Sequence, residues 1–182
     1  MMCPMLIFVG GLLGSGRKDF AQHLGARLDF YVYDLESSMR TSLFLREYRR
    51  ERVHSYDTLS DTLRLHMFQH VARNFEQLSN IFKNVVVDEP FHRNIPRSFL
   101  FEQGKKYFKQ APVVWVEDTQ ASVEEKALRV LQKNPRHNVA NVKKMIEKME
   151  SDFEPLPSPP IFARNVAQNP LILDDVARQL AF

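Results

Sequence analysis

Met5-Leu-Ile-Phe-Val-Gly-Gly-Leu-Leu-Gly-Ser-Gly-Arg-Lys18 decides the fold. Met5 to Val9 is a short apolar run, the pattern of a strand buried on both faces. Gly10 to Gly16 is rich in glycine, and Lys18 to Leu28 reads as a helix with Phe20, Ala21, Leu24 and Leu28 on one face. A glycine-rich turn between a strand and a helix aims main-chain N–H groups inward. The helix N-terminus adds partial positive charge, so the arrangement cradles anions.

The loop Gly11-Leu-Leu-Gly14-Ser15-Gly16-Arg17-Lys18 has the outline of the phosphate-binding form G-x-x-x-x-G-K-[ST], in the right context on both sides. Its main-chain donors survive, so Gly11, Gly14, Ser15, Gly16, Arg17 and Lys18 are the candidate cofactor-binding residues, with ATP the ligand they suit. Its two chemical side chains do not survive. Arg17 stands where lysine reaches the phosphates, and a planar guanidinium is bulkier than an ammonium. Lys18 stands where serine or threonine holds Mg²⁺, and it offers the metal no lone pair. Mg²⁺ is therefore disfavoured, and no metal ligands are assigned. The bland alternative is an inherited turn that packs strand to helix and binds nothing.

Strand and helix signals alternate along the remaining chain. Strands are expected at Phe30–Tyr33, Val85–Val87, Val113–Val116 and Ile161–Ala163. Helices are expected at Ser37–Arg52, from an Asp57 cap to about Phe82, from Pro96 to about Lys109, from a Ser122 cap to about Gln132, from about Ala140 to Asp152, and at Asp174–Leu180. This order predicts a three-layer α/β/α fold of the P-loop NTPase type, with a mostly parallel five-stranded sheet. Residues 1–182 are expected to form a single domain. In such sheets ligands gather at the C-terminal strand ends, where Asp34, Asp88 and Asp118 each follow a strand. Acids are also common in such loops for no functional reason.

Composition sets limits. Of 182 residues, 44% are hydrophobic and 26% charged, as in a globular domain, and the net charge of +3 permits nucleotide, nucleic-acid or acidic-protein contacts. No apolar run approaches the roughly 20 residues of a membrane helix, and the run at Met5 is a poor signal peptide. The single cysteine, Cys3, excludes an internal disulfide framework. An intracellular setting is expected, cytoplasm or mitochondrial matrix.

Four stretches together resemble the polynucleotide-kinase and zeta-toxin-like group of P-loop kinases, which includes relatives acting on RNA ends and on seryl-tRNA. They are the loop Gly11 to Lys18; Tyr33-Asp34 followed by Arg40; Val85-Val-Val-Asp88 followed by Arg93 and Arg97; and Val113 to Asp118 followed by Lys126, Arg129 and the helix closing on Phe153-Glu-Pro155. The resemblance implies that Asp34 takes the proton of a substrate hydroxyl and that Asp88 lies near metal and transferring phosphate. It also implies a lid over about 119–155 whose Arg129, or Lys126, neutralises transition-state charge. The sequence departs from the pattern at Asp88-Glu-Pro-Phe, where the family has Asp-x-Thr-Asn, and in a lid without an Arg-Asn pair.

Arg40, Arg46, Arg49, Arg50 and Arg52 form a basic cluster that suits a nucleic-acid backbone or, with Glu47 and Glu51, a solvated helix face. His66 and His70 lie one helical turn apart with no third ligand evident. Phe99, Leu100, Phe101, Tyr107 and Phe108 suit core packing or a docking surface. Two functions remain. One is a degenerate kinase-like subunit of a larger, mitochondrial or RNA-related assembly that keeps a nucleotide site. The other is an ATP-dependent kinase phosphorylating a hydroxyl of a nucleic-acid end or a small molecule.

Overall fold

The computed structural model describes residues 4–35, 60–133, 135, 137–156, 159–167, 169 and 171–180. The expected helix Ser37–Arg52, its basic cluster and the Asp57 cap lie outside the described residues. In order the elements are β1 (Met5–Gly10), α1 (Arg17–Leu28), β2 (Tyr31–Tyr33), α2 (Asp61–Ala72), α3 (Phe75–Ile81) and β3 (Asn84–Asp88). There follow α4 (Asn94–Tyr107), β4 (Val113–Glu117), α5 (Val123–Lys133), α6 (Val139–Ser151), β5 (Ile161–Arg164) and α7 (Ile172–Leu180).

The five strands form one sheet in the order β2-β3-β1-β4-β5, with every neighbouring pair parallel. β1 is central and buried along its whole length, which is why its sequence is an unbroken apolar run. Alternation sorts its side chains. Leu6 and Phe8 join Val85, Val87 and Trp115 on one face, under α2, α3 and α4. Ile7 and Val9 join Val86, Val114 and Val116 on the other, under α1 and α7. The fold is thus a three-layer α/β/α arrangement. Leu100 and Phe101 on α4 and Phe108 at its end are core residues, so the phenylalanine cluster serves packing, while Tyr107 stays exposed.

The helix expected to run unbroken to Phe82 is two helices. The N–H groups of Arg73 and Asn74 turn to the carbonyls of His70 and Val71, which tightens and ends α2, and the Asn74 side chain donates to the Tyr33 hydroxyl at 3.1 Å. The apolar spacing runs through the break because both helices face the same core. Ser60 caps α2, its hydroxyl accepting from the Leu63 N–H at 3.3 Å. Ser122 caps α5 as expected, in a reciprocal box: the Glu125 N–H donates to its hydroxyl, and the Glu125 carboxylate accepts from the Ser122 N–H. α4 begins at Asn94, ahead of Pro96, because a proline in the first turn has no N–H to lose.

Candidate functional site

Sheet register assembles the site. Val9 pairs with Asp88, and Tyr33 pairs with Val87, so Asp34, Asp88 and the loop after β1 lie side by side at the C-terminal edge. Residues 10–17 run strand, turn, helix: β1 ends at Gly10 and α1 begins at Arg17 with Gly16 as its N-cap in the left-handed region. Gly14 is also left-handed (φ +81°), and a Cβ there would lie 2.6 Å from Lys126 Cβ and 2.9 Å from the Lys126 carbonyl oxygen. The glycine thus lets α5 rest directly on the loop. Leu13 joins the small cluster of Ala127, Val142 and Ile146 that holds α5 to α6.

The side chains that replace the usual lysine and hydroxyl are both committed to carboxylates. Arg17 folds back over the loop: its Nη1 donates to the Gly11 carbonyl at 2.9 Å, and its Nε lies 3.5 Å from Asp88 Oδ2. The arginine side chain is only 15% exposed, and its buried Nε has no hydrogen-bond partner. Lys18 Nζ lies 3.3 Å from Asp34 Oδ2, and the lysine side chain is 44% exposed. Ser15 is buried and its hydroxyl accepts from the Arg17 N–H at 3.4 Å.

Asp88 titrates above the usual carboxylate range. Burial is the main cause, opposed by the charges of Arg17 and Lys18 and reinforced by Asp34. Asp118 goes the other way. Burial resists its ionisation, but the hydrogen bond from Arg129 and the N–H groups of Ala121 and Gln120 outweigh it and hold the pKa low. Arg129 Nη1 is 2.5 Å from Asp118 Oδ2 and 3.5 Å from the Gly14 carbonyl, so this α5 cation is docked at the loop. Lys126 instead pairs with Glu150 of α6 at 2.9 Å.

A cavity of about 560 Å³ adjoins the loop. Gly14, Gly16, Arg17 and Lys18 form one side, Arg129, Val130 and Lys133 of α5 a second, and Val166, Ala167 and Asn169 with Ile172 and Leu173 of α7 a third. Its volume is within the roughly 300–1,000 Å³ of small-molecule sites. The loop lacks the hydroxyl that ordinarily helps hold a phosphate-bound divalent metal: that position carries an ammonium, and the nearby carboxylates Asp34 and Asp88 face Lys18 and Arg17. Among the described residues no group of three His, Cys, Asp or Glu could hold an ion by itself. His66 and His70 belong to no such group.

Several features escaped the sequence reading. The Asp118–Arg129 pair is invisible to spacing, since the two come from a strand end and a helix. The β5–α7 wall of the cavity carries no motif. Arg97 is fully buried and donates to the carbonyls of Phe91 and Glu154 at 2.8 Å and of Pro155 at 2.6 Å. That clamp explains why Arg97 and the Phe-Glu-Pro phrase occur together. Arg64 and Glu89 form an ion pair, each about 1% exposed, beneath the loop that follows β3.

No protein-family model and no curated protein matches the chain by sequence. Solved structures match it along its whole length. A gluconokinase from Sinorhizobium meliloti 1021 is 14% identical with a TM-score of 0.68, covering 100% of this chain and 95% of that one. The Mycobacterium tuberculosis APS kinase CysC, in complex with AMPPNP and APS, is 13% identical with a TM-score of 0.65, covering 99% and 96%. Chaetomium thermophilum Kti12, in complex with ADP-AlF3, is 18% identical with a TM-score of 0.59, covering 98% and 100%. Among the described residues no helix is long and apolar enough to cross a membrane. At these identities the shared property is the fold, and that fold is the P-loop kinase type.

Proposed function

We propose that this chain is a single kinase-like domain that has lost efficient magnesium-dependent phosphoryl transfer, keeps a nucleotide site, and serves as a protein-binding subunit of a larger assembly. The observation that carries this reading is the pairing of both candidate catalytic carboxylates with the two substituted cations: Asp88 with Arg17 at 3.5 Å and Asp34 with Lys18 at 3.3 Å. Phosphoryl transfer depends on positioning and on electrostatic stabilisation by metal and cations. Here the metal-holding hydroxyl is replaced by a like charge, the phosphate-reaching cation is turned onto its own loop, and the carboxylate suited to proton abstraction faces an ammonium. Within the lid expected over about 119–155, α5 packs on Gly14 and α6 joins it at Leu13, so the cradle and its cover belong to one unit in this reading.

The test is turnover of ATP by the purified protein in Mg²⁺, in the native chain and in an Arg17→Lys/Lys18→Ser double variant. The native chain is expected to show none, and the double variant to gain it. Native turnover that Asp34→Asn abolishes would establish instead an active hydroxyl kinase, with Asp34 as base, Asp88 beside the phosphate and Arg129 at the developing charge.

A further inference from the structure

Three cation–carboxylate pairs ring the anion cradle: Arg17 with Asp88, Lys18 with Asp34, and Arg129 with Asp118. Each of these cations is held beside a carboxylate, so an incoming polyphosphate is met by the main-chain N–H groups and by a cation that shares its carboxylate with a phosphate oxygen. Lys18 is placed to do so. It lies in the first turn of α1, its side chain is 44% exposed, and it lines the cavity beside Gly14 and Gly16. It occupies the position from which a hydroxyl would otherwise hold a metal. A divalent cation carried in on the phosphates would share that space with the ammonium, and the carboxylates nearest it, Asp34 and Asp88, already face Lys18 and Arg17. The cavity's far side, with Val166 and Ile172, is apolar and suits a base stacked against aliphatic side chains.

We infer that Lys18 takes the charge role of the metal in this loop, so that the site accepts nucleoside polyphosphates in their magnesium-free form and Mg²⁺ competes with the protein for them. This rests on the reading above that the nucleotide site is kept. It adds the chemical form of the ligand and the sign of the metal effect.

The experiment is calorimetric titration of the full chain with ADP, first in EDTA and then in excess Mg²⁺. Native protein is expected to bind in EDTA. When Mg²⁺ is about ten times the dissociation constant of its ADP complex, the apparent Kd should rise about tenfold, because only uncomplexed nucleotide binds. Lys18→Ser, which removes the ammonium and supplies a hydroxyl, should weaken binding in EDTA and reverse the sign, so that Mg²⁺ tightens it. Lys18→Ala separates the two effects: it should weaken binding in EDTA without gaining the metal response. Thermal melts of both variants confirm that they fold. Binding of ADP that Mg²⁺ strengthens in the native chain would overturn the inference while leaving the loss of transfer intact. Absence of ADP binding in both media would overturn the inference and the retained nucleotide site together, leaving lost transfer and the subunit role standing. Native turnover dependent on Asp34 would overturn the loss of transfer itself.

Discussion

Acid should weaken this fold through one histidine as pH falls below about 7. His92, in the loop after β3, is 5% exposed, and its Nδ1 has no hydrogen-bond partner. Its pKa falls from 6.5 to about 3, first through burial and then through the charges of Arg64 and Arg93, which outweigh Asp61 and Asp152. The folded chain therefore holds His92 neutral where the unfolded chain protonates it. The resulting stability is present above the unfolded pKa and is lost as pH falls toward the folded one. Integrating the difference in bound protons, the loss from about pH 8 to about pH 5 is roughly 2 kcal/mol, and it reaches about 4 kcal/mol near pH 3. The assay is urea denaturation across that range for the native chain and for His92→Asn, which cannot charge. Subtracting the two profiles removes the other titrating groups. The native chain should lose about 2 kcal/mol more than the variant by about pH 5. Parallel profiles would show that His92 charges as easily in the fold as out of it, refuting the argument from burial and neighbouring cations.

Arg97→Met should cost roughly 3 kcal/mol or more in chemical denaturation, because the buried carbonyls it serves lose their donors together; a loss below about 1 kcal/mol would mean that they find others. Glu89→Gln should cost about 3–5 kcal/mol by removing a buried charge opposite Arg64, whereas Arg64→Met with Glu89→Leu should cost much less. Equal losses in denaturation experiments would refute that account. Gly14→Ala combines a left-handed backbone with a Cβ 2.6 Å from Lys126 Cβ and should destabilise by about 1–3 kcal/mol. Hydrogen exchange in residues 123–151 should also quicken as α5 is pushed off the loop; unchanged exchange there would count against the contact.

The sheet was legible because its signal is local and redundant: a buried parallel strand is an apolar run, and each run here is followed by turn residues and a helical period. The anion loop was legible for the same reason, since the positions of Gly11 and Gly16 between Val9 and Phe20 already imply strand, turn and helix. The break at Arg73–Asn74 was not legible, because apolar periodicity records which face is buried and is blind to a change of hydrogen-bond partner. In the site, the sequence showed that Arg17 and Lys18 were substitutions. It did not show that they would turn onto Asp88 and Asp34, since that depends on strand register. His92 and Arg64 gave no signal: their importance lies in burial, and nothing in a charged residue's neighbours along the chain reveals that it is buried.

The Arg97 clamp also constrains how the cover over the cradle can travel. By binding both the Phe91 carbonyl and the two carbonyls at Glu154 and Pro155, it pins the trailing end of the α5–α6 hairpin to the sheet's own loop. A hairpin fastened at that root cannot lift as a rigid flap. Any movement of the pair must keep that foot in place, so the ends of α5 and α6 farthest from Pro155 have the most freedom to shift.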